Sequence, residues 1–170
     1  MFIDTHTHLF LPEFNNDRDE AIQRAIDNNV RKMILPNVDS STLPAVIALA
    51  DKYPGVCYPL IGLHPTSVKK GYDSELEFVE QQIKNRKYYG IGETGIDLYW
   101  DKTYLEQQKE AFRFQIELSL EYDLPVIIHA RDSFDEIFKV LREFEENIKG
   151  IFHSFTGTIE QAREIGRAHV

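Results

Sequence analysis

The chain has 170 residues, 42% of them hydrophobic and 28% charged, which excludes intrinsic disorder and allows a core for one domain rather than two substantial ones. A net charge of −9 means that a basic face gripping duplex DNA is not the global picture, so any phosphate must be held locally. Cys57 is the single cysteine, which removes disulfide scaffolds, cysteine-rich zinc ribbons and Cys-X-X-Cys redox chemistry.

Short apolar runs predict six buried strands, at Met1–Ile3, Met33–Leu35, Cys57–Leu63, Tyr88–Ile91, Val126–Ile128 and Ile151–Phe152. Between the first two, Ala21, Ile22, Ala25, Ile26 and Val30 mark an amphipathic helix that opens with Asp17 and Glu20 at capping-box spacing. Ser74 with Glu77 opens a second helix. Thr103 with Glu106 opens a third, over about 103–122, whose apolar face carries Phe112, Ile116 and Leu120. Ser133 with Glu136 and Thr158 with Gln161 open two more. Strand and helix alternating with no hairpin signal require parallel strands joined by crossover helices, either a barrel or a doubly wound sheet. No repeat or linker interrupts 1–170, so a single domain is expected. The apolar stretches are too short to span a membrane and the opening MFIDTHTH lacks a signal-peptide layout, so the expected location is cytoplasmic.

Five of the six histidines fall at or just past the end of a predicted strand: His6 and His8, His64, His129 and His153. Glu93 holds the equivalent place after the fourth. In a parallel α/β architecture these ends share one rim, so residues scattered in sequence converge. Strand alternation turns Asp4, His6 and His8 to one side, and His-X-His is a ready metal clamp, although such a pair standing alone is more often a surface accident. Glu93 lies among glycines in GIGETGID (90–97), where backbone can crowd a ligand and a carboxylate can bridge two cations. Taken singly, His129 and His153 read equally well as core histidines; their matched positions favour ligation. Four imidazoles and a shared carboxylate exceed what one ion needs, so two divalent ions and hydrolytic chemistry are expected. No P-loop, Gly-X-Gly-X-X-Gly helix start or Gly-X-Ser-X-Gly elbow is present.

The motifs DTHTH (4–8), GLHP (62–65), GETGID (92–97), PVIIHARD (125–132) and HSFTG (153–157) resemble, in order and spacing, the TatD family of metal-dependent deoxyribonucleases. The resemblance runs from Phe2 to about Gly166. It implies a TIM-type (β/α)8 barrel of the metal-dependent hydrolase kind, with about six β/α units in this chain. It also implies DNA as substrate, cleaved at phosphodiester bonds in a 3′ to 5′ exonuclease manner with Zn2+, Mg2+ or Mn2+. On this pattern His6 and His8 hold one metal, Glu93 bridges, and His129 with His153 hold the second. His64 is implied as a catalytic or phosphate contact, with Glu93 catalytic. The amidohydrolase relatives often place a carboxylated lysine after the fourth strand, and Glu93 in that place favours the phosphodiesterase branch.

The family pattern has two further β/α units and a metal-site aspartate after the eighth strand, and no residue of this chain matches it. The expectation is an incomplete barrel with self-association through exposed sheet edges and His169 incidental to the site. Arg131, on the rim beside His129, is a candidate phosphate contact, with a bridge to Asp132 as the plainer alternative. Tyr99 and Trp100 suit either stacking of an unpaired base or a cover for the site. Cys57 reads as inert core. The rival functions are hydrolysis of a small amide, ester or lactone, and an inactive fragment.

Overall fold

Every strand pairing in the computed structural model, which describes residues 1–144 and 148–167, is parallel. β1 (Phe2–Asp4) pairs with β2 (Val30–Leu35), and β2 with β3 (Cys57–Pro59). β4 (Ile91–Asp97) pairs with β5 (Val126–Arg131), and β5 with β6 (Gly150–His153). The two three-stranded sheets meet at a parallel bridge between Ile61 and Ile91, flanked by Tyr89 N–H to Pro59 O (3.1 Å) and Gly92 N–H to Ile61 O (2.8 Å). The strands therefore follow one another in space in chain order.

The crossovers are α1 (Arg18–Asp27), α2 (Leu43–Lys52), α3 (Tyr72–Asn85), α4 (Leu105–Glu121) and α5 (Phe134–Leu141), with α6 (Ile159–Arg167) after β6. α1 and α4 stop before Asn29 (φ +66°) and Asp123 (φ +49°), positions in the left-handed region that these residue types tolerate. The larger apolar cluster packs Ile91, Ile96, Val126 and Ile128 of the sheet against Phe112 and Ile116 of α4 and Ile137 of α5. The smaller joins Met33, Leu35 and Cys57 to Ile22, Val46 and Leu49, with Leu9 and Phe10 anchoring the segment after β1. Cys57 is buried as expected, and burial pushes its thiol up to about 11.

The strand limits depart from the sequence reading in informative ways. The fourth strand runs from Ile91 to Asp97 rather than over Tyr88–Ile91, because backbone pairing continues through Glu93, Thr94 and Asp97, three buried polar residues at which a hydropathy criterion stops. Regular pairing in the third ends at Pro59, short of Leu63, whose N–H donates to Gln115 Oε1 (2.8 Å) instead. Of the five expected capping boxes, Thr158–Gln161 forms in both directions, at 2.9 and 3.2 Å. Asp17 and Ser133 stand at N-cap positions without a side-chain cap, and the Ser133 hydroxyl donates to Ile96 O (2.5 Å). α3 starts ahead of Ser74, and α4 starts after Thr103. His169 lies outside the described residues.

Candidate metal centre

Glu93 reaches the site through an irregularity in its strand. Ile91 pairs with Val126 and Thr94 with Ile128, so β4 carries one extra residue between these pairs, a bulge of the kind that re-aims a side chain. Asn37, buried just after β2, clasps this bulge: its N–H donates to Gly92 O (2.9 Å) and its carbonyl accepts from Glu93 N–H (2.9 Å). The Asn37 amide nitrogen is itself tied to Gly62 O (3.0 Å) and Asp39 O (3.0 Å), and Thr42 Oγ1 donates to Asn37 Oδ1 (2.9 Å).

The Glu93 carboxylate is 2% exposed and five imidazoles surround it. Its Oε2 lies 3.2 Å from His6 Nε2 and 3.3 Å from His8 Nε2. Its Oε1 lies 2.8 Å from His129 Nδ1, 3.5 Å from His64 Nε2 and 3.6 Å from His153 Nε2. All five histidines expected at the rim are therefore brought together, around the two oxygens of Glu93. His6 and His8 lie beyond the end of β1, where Thr7 N–H donates to Ile34 O (3.0 Å), whereas Glu93, His129 and His153 lie within their strands rather than after them. Asp4 does not join them; its carboxylate accepts from His6 N–H (3.1 Å), which corrects the alternation argument because the strand ends at Asp4.

The donor chemistry fits divalent cations. His6 Nε2 and His8 Nε2 are 2.9 Å apart and share Glu93 Oε2, a triangle close to the separation of about 3.3 Å between ligand atoms at 2.0–2.1 Å from a tetrahedral ion. Their Nδ1 atoms are buried without a partner among the described residues, so packing holds the rings: His6 stacks on His153 (3.6 Å, 7°) and His8 meets Phe10 edge-on. A second group of His64, Glu93 and His129 also has donor atoms close enough to share an ion. His64 is held differently, since its Nδ1 accepts from Thr66 N–H (3.1 Å), which leaves the proton on Nε2, facing Glu93.

Asp97 is the functional candidate that sequence reasoning missed. Its Oδ2 lies 2.8 Å from His129 Nε2, so the ring spans Glu93 and Asp97 while Gly95, its register partner, passes beneath. A carboxylate behind a histidine fixes tautomer and orientation and turns the other nitrogen into a ligand. The signal was the alternation Gly95, Asp97 after Glu93. Gln108 of α4 supports the same turn: its Oε1 accepts from Asp97 N–H (2.8 Å) and its Nε2 donates to Asp97 O (3.3 Å).

Burial works against ionisation of Glu93, yet hydrogen bonds from His129, His6, His64 and His8 outweigh it and hold the carboxyl far below the usual range. Burial also lowers His129, but Glu93 and Asp97 outweigh it and raise that ring above its ordinary value. His153 is brought down to about 4, first by burial and then by repulsion from His6. Arg131 ends β5 exposed, and instead of bridging to Asp132 its guanidinium lies over Tyr99.

The family profile described as TatD related DNase matches residues 3–169. A Bacillus subtilis (strain 168) protein named an uncharacterized metal-dependent hydrolase, YabD, is 36% identical over 165 residues, 96% of this chain and 64% of that one. A 3'-5' ssDNA/RNA exonuclease TatD of Erwinia billingiae (strain Eb661) is 29% identical over 159 residues, 93% of this chain and 61% of that one. The crystal structure of YJJV, a TatD homolog from Escherichia coli K12, superposes with a TM-score of 0.89 at 34% identity, covering 98% of this chain and 65% of that one. The chain thus spans a little under two thirds of the length of these relatives.

Proposed function

The chain belongs to the TatD related DNase family, and from that membership we propose that it hydrolyses phosphodiester bonds of DNA, from single-stranded or free ends in the 3′ to 5′ direction, at the Glu93 cluster. The observation that carries this reading is the division of the five imidazoles between the two oxygens of one buried carboxylate. In this reading His6, His8 and Glu93 would hold one divalent cation and His129, His153 and Glu93 the other, with Zn2+, Mg2+ and Mn2+ as the candidates. Bound there, such ions supply Lewis-acid stabilisation of charge at phosphorus and a water nucleophile near neutral pH.

The chain's own residues do the rest. Glu93 stays anionic and fixes the spacing of the two ligand sets, and Asp97 holds the His129 ring with Nδ1 turned inward. His64 keeps a proton on Nε2 because Thr66 N–H occupies its Nδ1, so it donates a hydrogen bond to a phosphate oxygen. Residues 1–170 act as one hydrolase unit, and the six strands in chain order form an arc of a (β/α)8 barrel. The stacking of His6 on His153, from the first and last strand regions, supports that curvature.

The test is release of nucleotides from single-stranded DNA with added Mg2+, Mn2+ or Zn2+. Release is expected to require metal, to vanish in Glu93→Ala and to fall about 10- to 100-fold in Asp97→Asn. Zn2+ or Mn2+ is also expected to raise the melting temperature of the parent chain and not of Glu93→Ala. Metal-dependent cleavage of small esters, amides or lactones with none of DNA would replace this reading.

A further inference from the structure

We propose that Tyr99, Trp100 and Arg131 form a ledge that stacks one unpaired nucleobase of a strand whose phosphodiester lies at Glu93, an inference that rests on the phosphodiesterase reading. Immediately after β4 the chain turns two large aromatic side chains into water: Tyr99 is 55% exposed and Trp100 70%. Rings of this size ordinarily bury themselves, so paired exposure beside a site calls for a ligand surface. The two rings meet edge to face with centroids 4.9 Å apart. The Arg131 guanidinium lies 3.9 Å from the Tyr99 centroid and 5.4 Å from that of Trp100.

The ledge is built rather than incidental, because the site itself holds it. Asp97 Oδ1 accepts from Tyr99 N–H (3.0 Å) and Trp100 N–H (3.2 Å), while Asp97 Oδ2 meets His129 Nε2 (2.8 Å). One carboxylate thus positions both the His129 ring and the aromatic turn. Leu98 N–H donates to Arg131 O (2.9 Å), and Arg131 stands two residues beyond His129, about 6.6 Å along the strand. A strand with a phosphate at Glu93 therefore brings a neighbouring base to the rings and a neighbouring phosphate to the guanidinium. Every base presents a π-face, so the ledge is indifferent to sequence; a base inside a duplex has both faces covered, so it selects unpaired ends. The rings meet the base and not the sugar, so DNA and RNA strands share the recognised chemistry.

Trp100 is the single tryptophan of the chain, which makes its fluorescence a direct reporter. Protein with Mg2+ is titrated with cleavage-resistant phosphorothioate-linked ligands: a single-stranded deoxyoligonucleotide, an RNA of the same sequence, an abasic strand of equal length and a blunt duplex. Quenching by both base-bearing strands is expected, with little by the abasic strand or the duplex. Tyr99→Ala is expected to weaken binding by about 5- to 150-fold, the range for loss of one base–aromatic contact, Arg131→Gln to weaken it through the lost phosphate contact, and Tyr99→Phe to retain it. Equal quenching by the abasic strand, or unchanged affinity in Tyr99→Ala, overturns the ledge. If oligonucleotide is hydrolysed with metal while Trp100 is not quenched, the ledge fails and the phosphodiesterase reading stands. If bases quench Trp100 and no metal supports hydrolysis, the reaction fails and the ledge stands.

Discussion

Glu93 keeps its charge in a nearly dry pocket because its imidazole neighbours offset the cost of burial, and the same crowding sets two histidines titrating in opposite directions. In metal-free protein, ring-proton NMR is expected to place the His153 midpoint at about 4 and that of His129 above the ordinary 6.5. Between about 4 and 6.5 the unfolded chain binds more protons at His153 than the folded one, so this residue's contribution to stability is present above 6.5 and lost as pH falls toward 4. For His129 the sign reverses: its contribution is present below 6.5 and lost as pH rises through the folded value. A His153 midpoint near 6.5 would contradict the burial and the repulsion from His6. At this scale the candidate ligands were legible, because five histidines and a carboxylate recur at matched positions beside apolar runs. Asp97 was not, because its role comes from a neighbouring strand's ring.

Among the elements, the β4–β5 pair decides the site's geometry. Gly95 sits at φ +137° opposite His129, and a Cβ built there would lie 2.1 Å from the His129 carbonyl oxygen. Gly95→Ala therefore combines a strained backbone with a clash between paired strands and is expected to destabilise by about 2–6 kcal/mol. Urea unfolding checks this, and an unchanged midpoint would mean that the strands can separate freely. α4 shows which element features were readable: its apolar face was clear from Phe112 and Ile116, yet Gln108 and Gln115, seven apart on that face, satisfy backbone groups of β4 and of the stretch after β3. Amides inside an apolar stripe mark such a duty, but their partners are set by packing. Of the capping boxes that did not form, Ser133 turns its hydroxyl to a tertiary acceptor, Ile96 O, and Ser74 donates to Gly71 O.

At the scale of the whole molecule, the first and last strands present apolar residues to water: Phe2 is 65% exposed, Ile3 48% and Ile151 41%. Such edges template pairing with another chain, so sedimentation is expected to show concentration-dependent self-association, and a clean monomer with a cooperative melt would count against it. With a net charge of −9, any contact with nucleic acid is expected to be local, and a steep loss of binding with added salt would contradict this. Among the described residues no helix is long and apolar enough to cross a membrane. By itself the sequence determined the parallel α/β order and the residue types of the cluster, because hydrophobic periodicity and chemically distinctive side chains are local properties. Only the tertiary structure decided that β4 runs on through Glu93, that a bulge held by Asn37 aims it, and that its two oxygens divide the five histidines. Those facts depend on the register between strands distant in the chain, and a one-residue shift in register changes which atoms meet.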